Sequence, residues 1–245
     1  MRATRIHTAE NLTSCTTIEL NREYAHYLVN VLRHKPGDQV LVFNSRDGEY
    51  AASLLAANSK SARLQVGQQT RPRVESALCI ELGIVVSKGD RMDYAIQKST
   101  ELGVHRIATL YSEHGEVRLK GDRTNNKLLH WNRVAVSSAE QSHRLDVPEV
   151  LAPVPLEHWL ASNSSELKTL FAPGGSPLAL KPGTPGSIAL AIGPEGGFAE
   201  TELGLARENG FTVASLGPRI LRTETAPVVA LAILQSRYGD LRGAD

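Results

Sequence analysis

The sequence predicts an α/β protein: a C-terminal domain built on a mainly parallel sheet, preceded by a small β-barrel. Three observations carry this reading. From Leu78 onward, apolar strand-like runs alternate with amphipathic helical stretches, as in a parallel sheet covered on both faces. Before Arg71 the chain holds short β-prone segments, turns and one helical stretch, the profile of a small barrel. Arg71-Pro72-Arg73 separates the two styles and divides residues 1–72 from residues 73–245.

In the first part, strands are expected at Thr16–Leu20, at Gln39–Phe43 after the turn Pro36-Gly37-Asp38, at Tyr50–Leu55 and at Ala62–Val66. Tyr24, Leu28 and Leu32 recur at helical spacing, so a helix is expected over Arg22–Leu32. In the second part, Ile80–Val86 reads as a buried strand. Asp90–Leu102 reads as a helix capped by Asp90, with Met92, Ala95, Ile96 and Leu102 on one face and Gly103 ending it. A strand at Arg106–Tyr111, a long helix at Asn125–Gln141 and a short helix at Leu156–Ala161 follow. Then come strands at Leu167–Phe171 and Ile188–Ile192, a helix at Glu200–Asn209 and a strand at Val213–Leu216. Pro173–Gly186, rich in Pro, Gly and Ser, reads as a loop. The last helix, from about Ala226 to Tyr238, is apolar nearly all round, which suits a deep core or a subunit interface.

Composition narrows the function classes. The hydrophobic share of 41% is that of a soluble globular protein, and no apolar run reaches the length of a membrane span. The first twenty residues lack an apolar signal core, and Cys15 and Cys79 read as free thiols, so a cytoplasmic location is expected. The eight histidines form no spaced pair and the two cysteines are isolated, so no metal site is expected. Residues 1–73 hold ten Lys/Arg against six Asp/Glu, which makes them the better candidate for contact with phosphates.

Two segments carry the chemistry. The apolar run Ile188–Ile192 enters Gly193-Pro194-Glu195-Gly196-Gly197-Phe198, with a helix after it. Ligands of parallel sheets sit beyond the carboxyl ends of strands, and glycines there let backbone N–H groups approach closely. The alternative is a tight turn that is merely glycine-rich. The second segment, Leu216-Gly-Pro-Arg-Ile-Leu-Arg-Thr-Glu-Thr-Ala-Pro227, repeats the plan, with Thr223 or Thr225 as helix cap and Pro227 in the first turn. Arg219, Arg222 and Glu224 crowd this loop. They form either a loop-anchoring ion pair or a grip on a substrate phosphate or base. No Gly-x-Gly-x-x-Gly follows a strand and no phosphate loop ends in Gly-Lys-Ser/Thr. Glu140-Gln-Ser-His-Arg144 reads from its residues alone as a solvated helix end.

Together these two motifs resemble the RsmE family, SPOUT-superfamily methyltransferases acting on N3 of a uridine in 16S rRNA. Further likenesses are Arg91-Met-Asp-Tyr-Ala-Ile-Gln-Lys-Ser-Thr-Glu-Leu-Gly-Val104, Glu140-Gln-Ser-x-Arg144, and His26 with Val31-Leu-Arg33 and Gly37-Asp38. The resemblance implies a SPOUT-type C-terminal domain with a deep trefoil knot, a PUA-like RNA-binding barrel before it, and a homodimer acting on 16S rRNA within the 30S subunit. It implies that S-adenosylmethionine is held by Phe171, Pro173, Ile192, Gly193, Pro194, Glu195, Gly196, Gly197, Leu216, Gly217, Arg219, Ile220, Leu221 and Thr225. On this reading Arg222 and Glu224 are the catalytic candidates, Arg222 first, and Arg5, Arg33, Lys35 and Arg144 the RNA-binding ones. The chain departs from the family pattern at His114, His143 and Ala172, and no role is assigned to these three.

Overall fold

The structure is a computed structural model that describes residues 4–58, 60–73, 78–180 and 182–241. The chain divides into two compact units, Met1–Glu75 with Ala139–Val147, and Ser76–Ser138 with Pro148–Asp245. A reading of the sequence in linear order assigns Ala139–Val147 to the second part; in the structure this segment belongs with the first.

The first unit holds strands β1 (Arg5–His7), β2 (Thr17–Leu20), β3 (Gln39–Asn44), β4 (Gly48–Ala57) and β5 (Ala62–Arg71). They form one sheet in the order β1-β3-β4-β5-β2, with β1 parallel to β3 and the other pairs antiparallel. Alternating side chains Val40, Val42, Leu54, Leu64 and Val66 enclose a core with Ile6, Leu20 and Leu28. The helix expected over Arg22–Leu32 differs in kind. It is α only over α1 (Arg22–His26), capped by Asn21, and continues as a π turn over Tyr27–Val31.

Arg5 does not reach solvent, which corrects its expected place among phosphate contacts. It is 5% exposed; its Nε donates to Glu49 at 2.6 Å. Its two terminal nitrogens donate to the carbonyls of Ala139, Glu140 and Arg144 at 2.9, 3.0 and 3.0 Å. These carbonyls lie at the end of a helix, where backbone acceptors lack intrahelical partners, and the guanidinium fork supplies them. Glu140 accepts from the His7 N–H at 2.9 Å and the Tyr24 hydroxyl at 3.1 Å. Burial pushes the Glu140 carboxyl above its ordinary value, against the pull of these hydrogen bonds and of Arg5. The Glu140–Arg144 segment is thus built into the first unit, and is not a solvated helix end.

The second unit is a six-stranded, wholly parallel sheet in the order β11-β9-β10-β6-β7-β8. Its strands are β6 (Cys79–Val85), β7 (Arg106–Tyr111), β8 (Glu149–Pro155), β9 (Leu167–Pro177), β10 (Ser187–Ile192) and β11 (Thr212–Ser215). The helices are α2 (Asp90–Glu101), α3 (Asp122–Ser142, up to Ser138 in this unit), α4 (Leu156–Ser162), α5 (Glu200–Glu208) and α6 (Ala226–Tyr238). Ile188–Ile192 are all buried, as a central strand covered on both faces requires. Strand β8 is an edge strand, where Pro153 and Pro155 are tolerated. Two expectations are corrected locally. Gly89, not Asp90, precedes the first turn of α2. The stretch from Pro173, expected as loop, continues β9 as far as Pro177. Among the described residues, no helix is long and apolar enough to cross a membrane.

Candidate active site

Three parallel strands of the second unit, β9, β10 and β11, end side by side, and the segments leaving them wall one cleft. The first wall is irregular. Val213 of β11 pairs with Leu170, but the next residue, Ala214, pairs with Ser176, so β9 is looped out of that ladder over Phe171–Gly175. Phe171, Ala172 and Pro173 from this excursion line the cleft.

The second wall is the loop after β10. Its turn is closed by the Gly197 N–H donating to the Pro194 carbonyl at 2.9 Å. A side chain at Gly193 would meet the Phe198 ring at 2.9 Å, so only glycine lets that ring fold back over the loop. The loop is tied from outside: Arg91 of α2 pairs with Glu195, and Glu202 of α5 accepts N–H bonds from Ala199 at 2.9 Å and Glu113 at 2.8 Å.

The third wall follows β11. Gly217, at φ +98°, turns the chain into a conformation that L side chains seldom adopt, and no protein atom faces it. Ile220 stands 84% exposed at the rim, and Leu216 and Leu221 line the wall beside it. The Arg222 carbonyl then accepts from the Thr225 and Ala226 N–H groups at 2.9 and 3.0 Å, which starts α6.

Twelve of the fourteen residues expected to hold the cofactor line this cleft: Phe171, Pro173, Ile192, Gly193, Pro194, Glu195, Gly197, Leu216, Gly217, Arg219, Ile220 and Leu221. Gly196 faces His114 instead, and Thr225 is the cap residue of α6 outside the lining. Phe198 and Thr223, inside the two glycine-led loops that the sequence singles out, also line the cleft, whereas Ala172, Ser215 and Ala226 were missed by sequence reasoning. Phe198 had a signal, since it directly follows the glycines; Ala172 and Ser215 depend on the β9–β11 register and had none.

The two catalytic candidates part company. Arg222 lines the cleft and its side chain is 78% exposed. Glu224 is outside the lining; its Oε1 lies 3.9 Å from Arg222, and its Oε2 is buried without a hydrogen-bond partner. Among the RNA-binding candidates, Arg33 and Lys35 are exposed on the first unit, whereas Arg144 is half-buried. Among the described residues, no group of three or more His, Cys, Asp or Glu is placed to hold a metal ion.

The cleft is a vessel for a flat, largely apolar group with polar edges: aliphatic and aromatic walls, exposed backbone, and charge confined to Glu195, Arg219 and Arg222. Residues 74–235 match the RNA methyltransferase domain family and residues 20–67 the RNA methyltransferase PUA domain family. A ribosomal RNA small subunit methyltransferase E of Buchnera aphidicola (subsp. Schizaphis graminum) is 36% identical over 91% of this chain and 92% of its own length. One from Bacillus subtilis is 29% identical over 96% of each. The crystal structure of a ribosomal RNA small subunit methyltransferase E from Neisseria gonorrhoeae, bound to S-adenosylmethionine, superposes with a TM-score of 0.90 at 34% identity, covering 98% of this chain and 100% of that one. A Legionella pneumophila protein solved with the same cofactor gives 0.93 at 35% identity, with the same coverage.

Proposed function

This chain belongs to the ribosomal RNA small subunit methyltransferase E family, and on that basis we propose that it methylates N3 of a uridine in 16S rRNA, using S-adenosylmethionine. The observation that carries the reading is the cleft itself, where an exposed arginine stands beside glycine-rich loops at the ends of three parallel strands.

The residues present fit the cofactor. Phe171, Leu216, Ile220 and Leu221 offer apolar faces to an adenine, and backbone at Gly197 and Gly217 is free of side chains that would hold a ligand off. When bound, S-adenosylmethionine supplies a methyl group already activated on a sulfonium.

The chain's own task is set by the acceptor. Uridine N3 carries a weakly acidic proton and lies on the Watson–Crick edge, so the base must be unpaired to be reached. Arg222 is the group we assign to the imide anion as that proton leaves: like Arg219 it is an exposed cationic fork in the lining, and the Glu224 carboxylate 3.9 Å away orients it. Glu224 serves as its counter-charge from behind rather than as proton acceptor, given its burial outside the cleft; the N3 proton passes to solvent water, which reaches the cleft edge where the Arg222 side chain is 78% exposed. The three walls fix the angle of approach, and alignment of this kind is a large part of catalysis by positioning.

Arg222→Ala is expected to abolish methyl transfer while leaving cofactor affinity largely unchanged. The assay is a reverse-transcription stop on 16S rRNA that requires both enzyme and cofactor. Turnover at the wild-type rate in the variant refutes the assignment. We further assign to the second unit the trefoil knot that the family likeness implies, supported by the insertion of β10 between β6 and β9, both earlier in the chain. A homodimer is supported by the half-exposed apolar residues Val228, Val229, Ala232 and Ile233 along α6, and light scattering returning a monomer mass counts against it.

A further inference from the structure

The first unit exposes three large apolar side chains within six residues: Tyr27 at 40%, Val31 at 56% and Leu32 at 38%. The π turn puts them together. Its i→i+5 bond, Leu32 N–H to the Tyr27 carbonyl at 2.9 Å, stacks residues 31 and 32 beside 27, while Leu28 is buried in the core behind them. The turn is closed by the His34 N–H donating to the Leu28 carbonyl at 2.8 Å, one residue wider than the six-residue closure that ends many helices, in keeping with the π turn before it. Such a closure needs one residue in the left-handed region, and the usual residue there is glycine. Here it is Arg33, at φ +58°. An arginine held in a conformation it disfavours points to a need for its side chain. The segment Arg22–Lys35 carries Arg22, Arg33 and Lys35 against a single acidic residue, Glu23.

We infer that this π turn is a platform for an unpaired base of the RNA substrate, stacked on Tyr27 and flanked by Val31 and Leu32, with Arg33 and Lys35 holding the adjacent phosphates. The inference rests on the RNA-methylating function proposed above. Charge decides the occupant: an aromatic face beside fixed cations matches a stacked base on a polyanion, whereas a protein partner would be served by the apolar face without them.

The test titrates full-length protein with a fluorescent single-stranded oligouridylate over a series of salt concentrations. Tyr27→Ala is expected to weaken binding about tenfold with an unchanged salt slope, and Tyr27→Phe to bind as wild type, since stacking carries no counterion release. Leu32→Gln repeats the test at a second exposed position. Arg33→Gly and Lys35→Ala are each expected to lower the slope by about one. Arg33→Gly should also melt no lower than wild type, because glycine suits φ +58°. Wild-type affinity in both Tyr27→Ala and Leu32→Gln overturns the platform, as does a change in the molecular mass of either variant, which would mean a protein contact. Wild-type protein that binds S-adenosylmethionine but neither oligouridylate nor 16S rRNA overturns the RNA-methylating reading and the platform together.

Discussion

Replacing Arg5 with methionine tests whether the N-terminal cation is structural. Its side chain is 2% exposed and that of its partner Glu49 4%, so the pair is desolvated. Methionine retains the aliphatic stem beside Phe43, whose ring centroid lies 4.1 Å from the guanidinium carbon, but leaves Glu49 buried without its cation. Breaking a buried pair from one side costs about 3–5 kcal/mol. Thr70 still donates to Glu49 at 3.1 Å, which favours the lower end, while three backbone carbonyls each lose a donor, which pushes the cost up although Ala139 keeps the Arg144 N–H at 3.1 Å. Arg5→Met with Glu49→Leu removes both charges and should recover most of the loss. Tryptophan fluorescence is blind to the event, because Trp131 and Trp159 both lie in the second unit. Amide hydrogen exchange of β3–β5 in urea reads the first unit directly. A loss under about 1 kcal/mol in the single variant would mean that the pair behaves as a surface contact, and would refute the reasoning. Arg5→Met, where still folded, should also leave the salt dependence of RNA binding unchanged.

Two further outcomes are expected. Gly217→Ala meets no neighbour but forces alanine to φ +98°, a strain of about 1–3 kcal/mol that the loop relieves by moving. Calorimetric titration with S-adenosylmethionine should show affinity falling about tenfold, and an unchanged Kd would remove this turn from the cofactor site. For Glu140 the folded-state pKa lies above the unfolded one, so the native protein holds this proton more tightly. The contribution of Glu140 to stability therefore declines as pH rises from near the ordinary carboxyl value, 4.5, through the raised one, and is level above it. Glu140→Gln keeps an acceptor for His7 and Tyr24 and lacks the titration. Its stability relative to wild type should rise with pH over that interval, and a difference flat with pH would show that Glu140 is not the titrating group.

What could be read from the sequence was what neighbouring residues decide among themselves. The apolar runs of β6 and β10 and the amphipathic face of α2 declared themselves because burial follows a local period. The loops after β10 and β11 did so because glycine and proline fix turns locally. β1 escaped, being three residues long and starting with an arginine, and β8 escaped because its prolines argue against a strand that only an edge position permits. The spacing of Tyr24, Leu28 and Leu32 suits an α-helix, yet Leu32 is exposed, because the chain widens into a π turn after His26.

The harder failures share one cause, the distance along the chain between partners. Arg5 looks like a free cation until Glu49, 44 residues on, and the Arg144 carbonyl, 139 residues on, are brought to it. The same holds for the cleft. Ala172 and Ser215 enter its wall only because β11 skips from Leu170 to Ser176 in pairing with β9, and register between strands some forty residues apart is decided by packing over the whole sheet. The division of labour within the Leu216–Thr225 loop is of this kind too. Arg222 and Glu224 are two residues apart and both ionisable in the sequence, and only the turn over the Arg222 carbonyl sends one into the cleft and the other behind it. Chemistry-bearing residue types are therefore legible early, whereas the assignment of a role to each waits on the long-range contacts that decide which side chain faces the ligand.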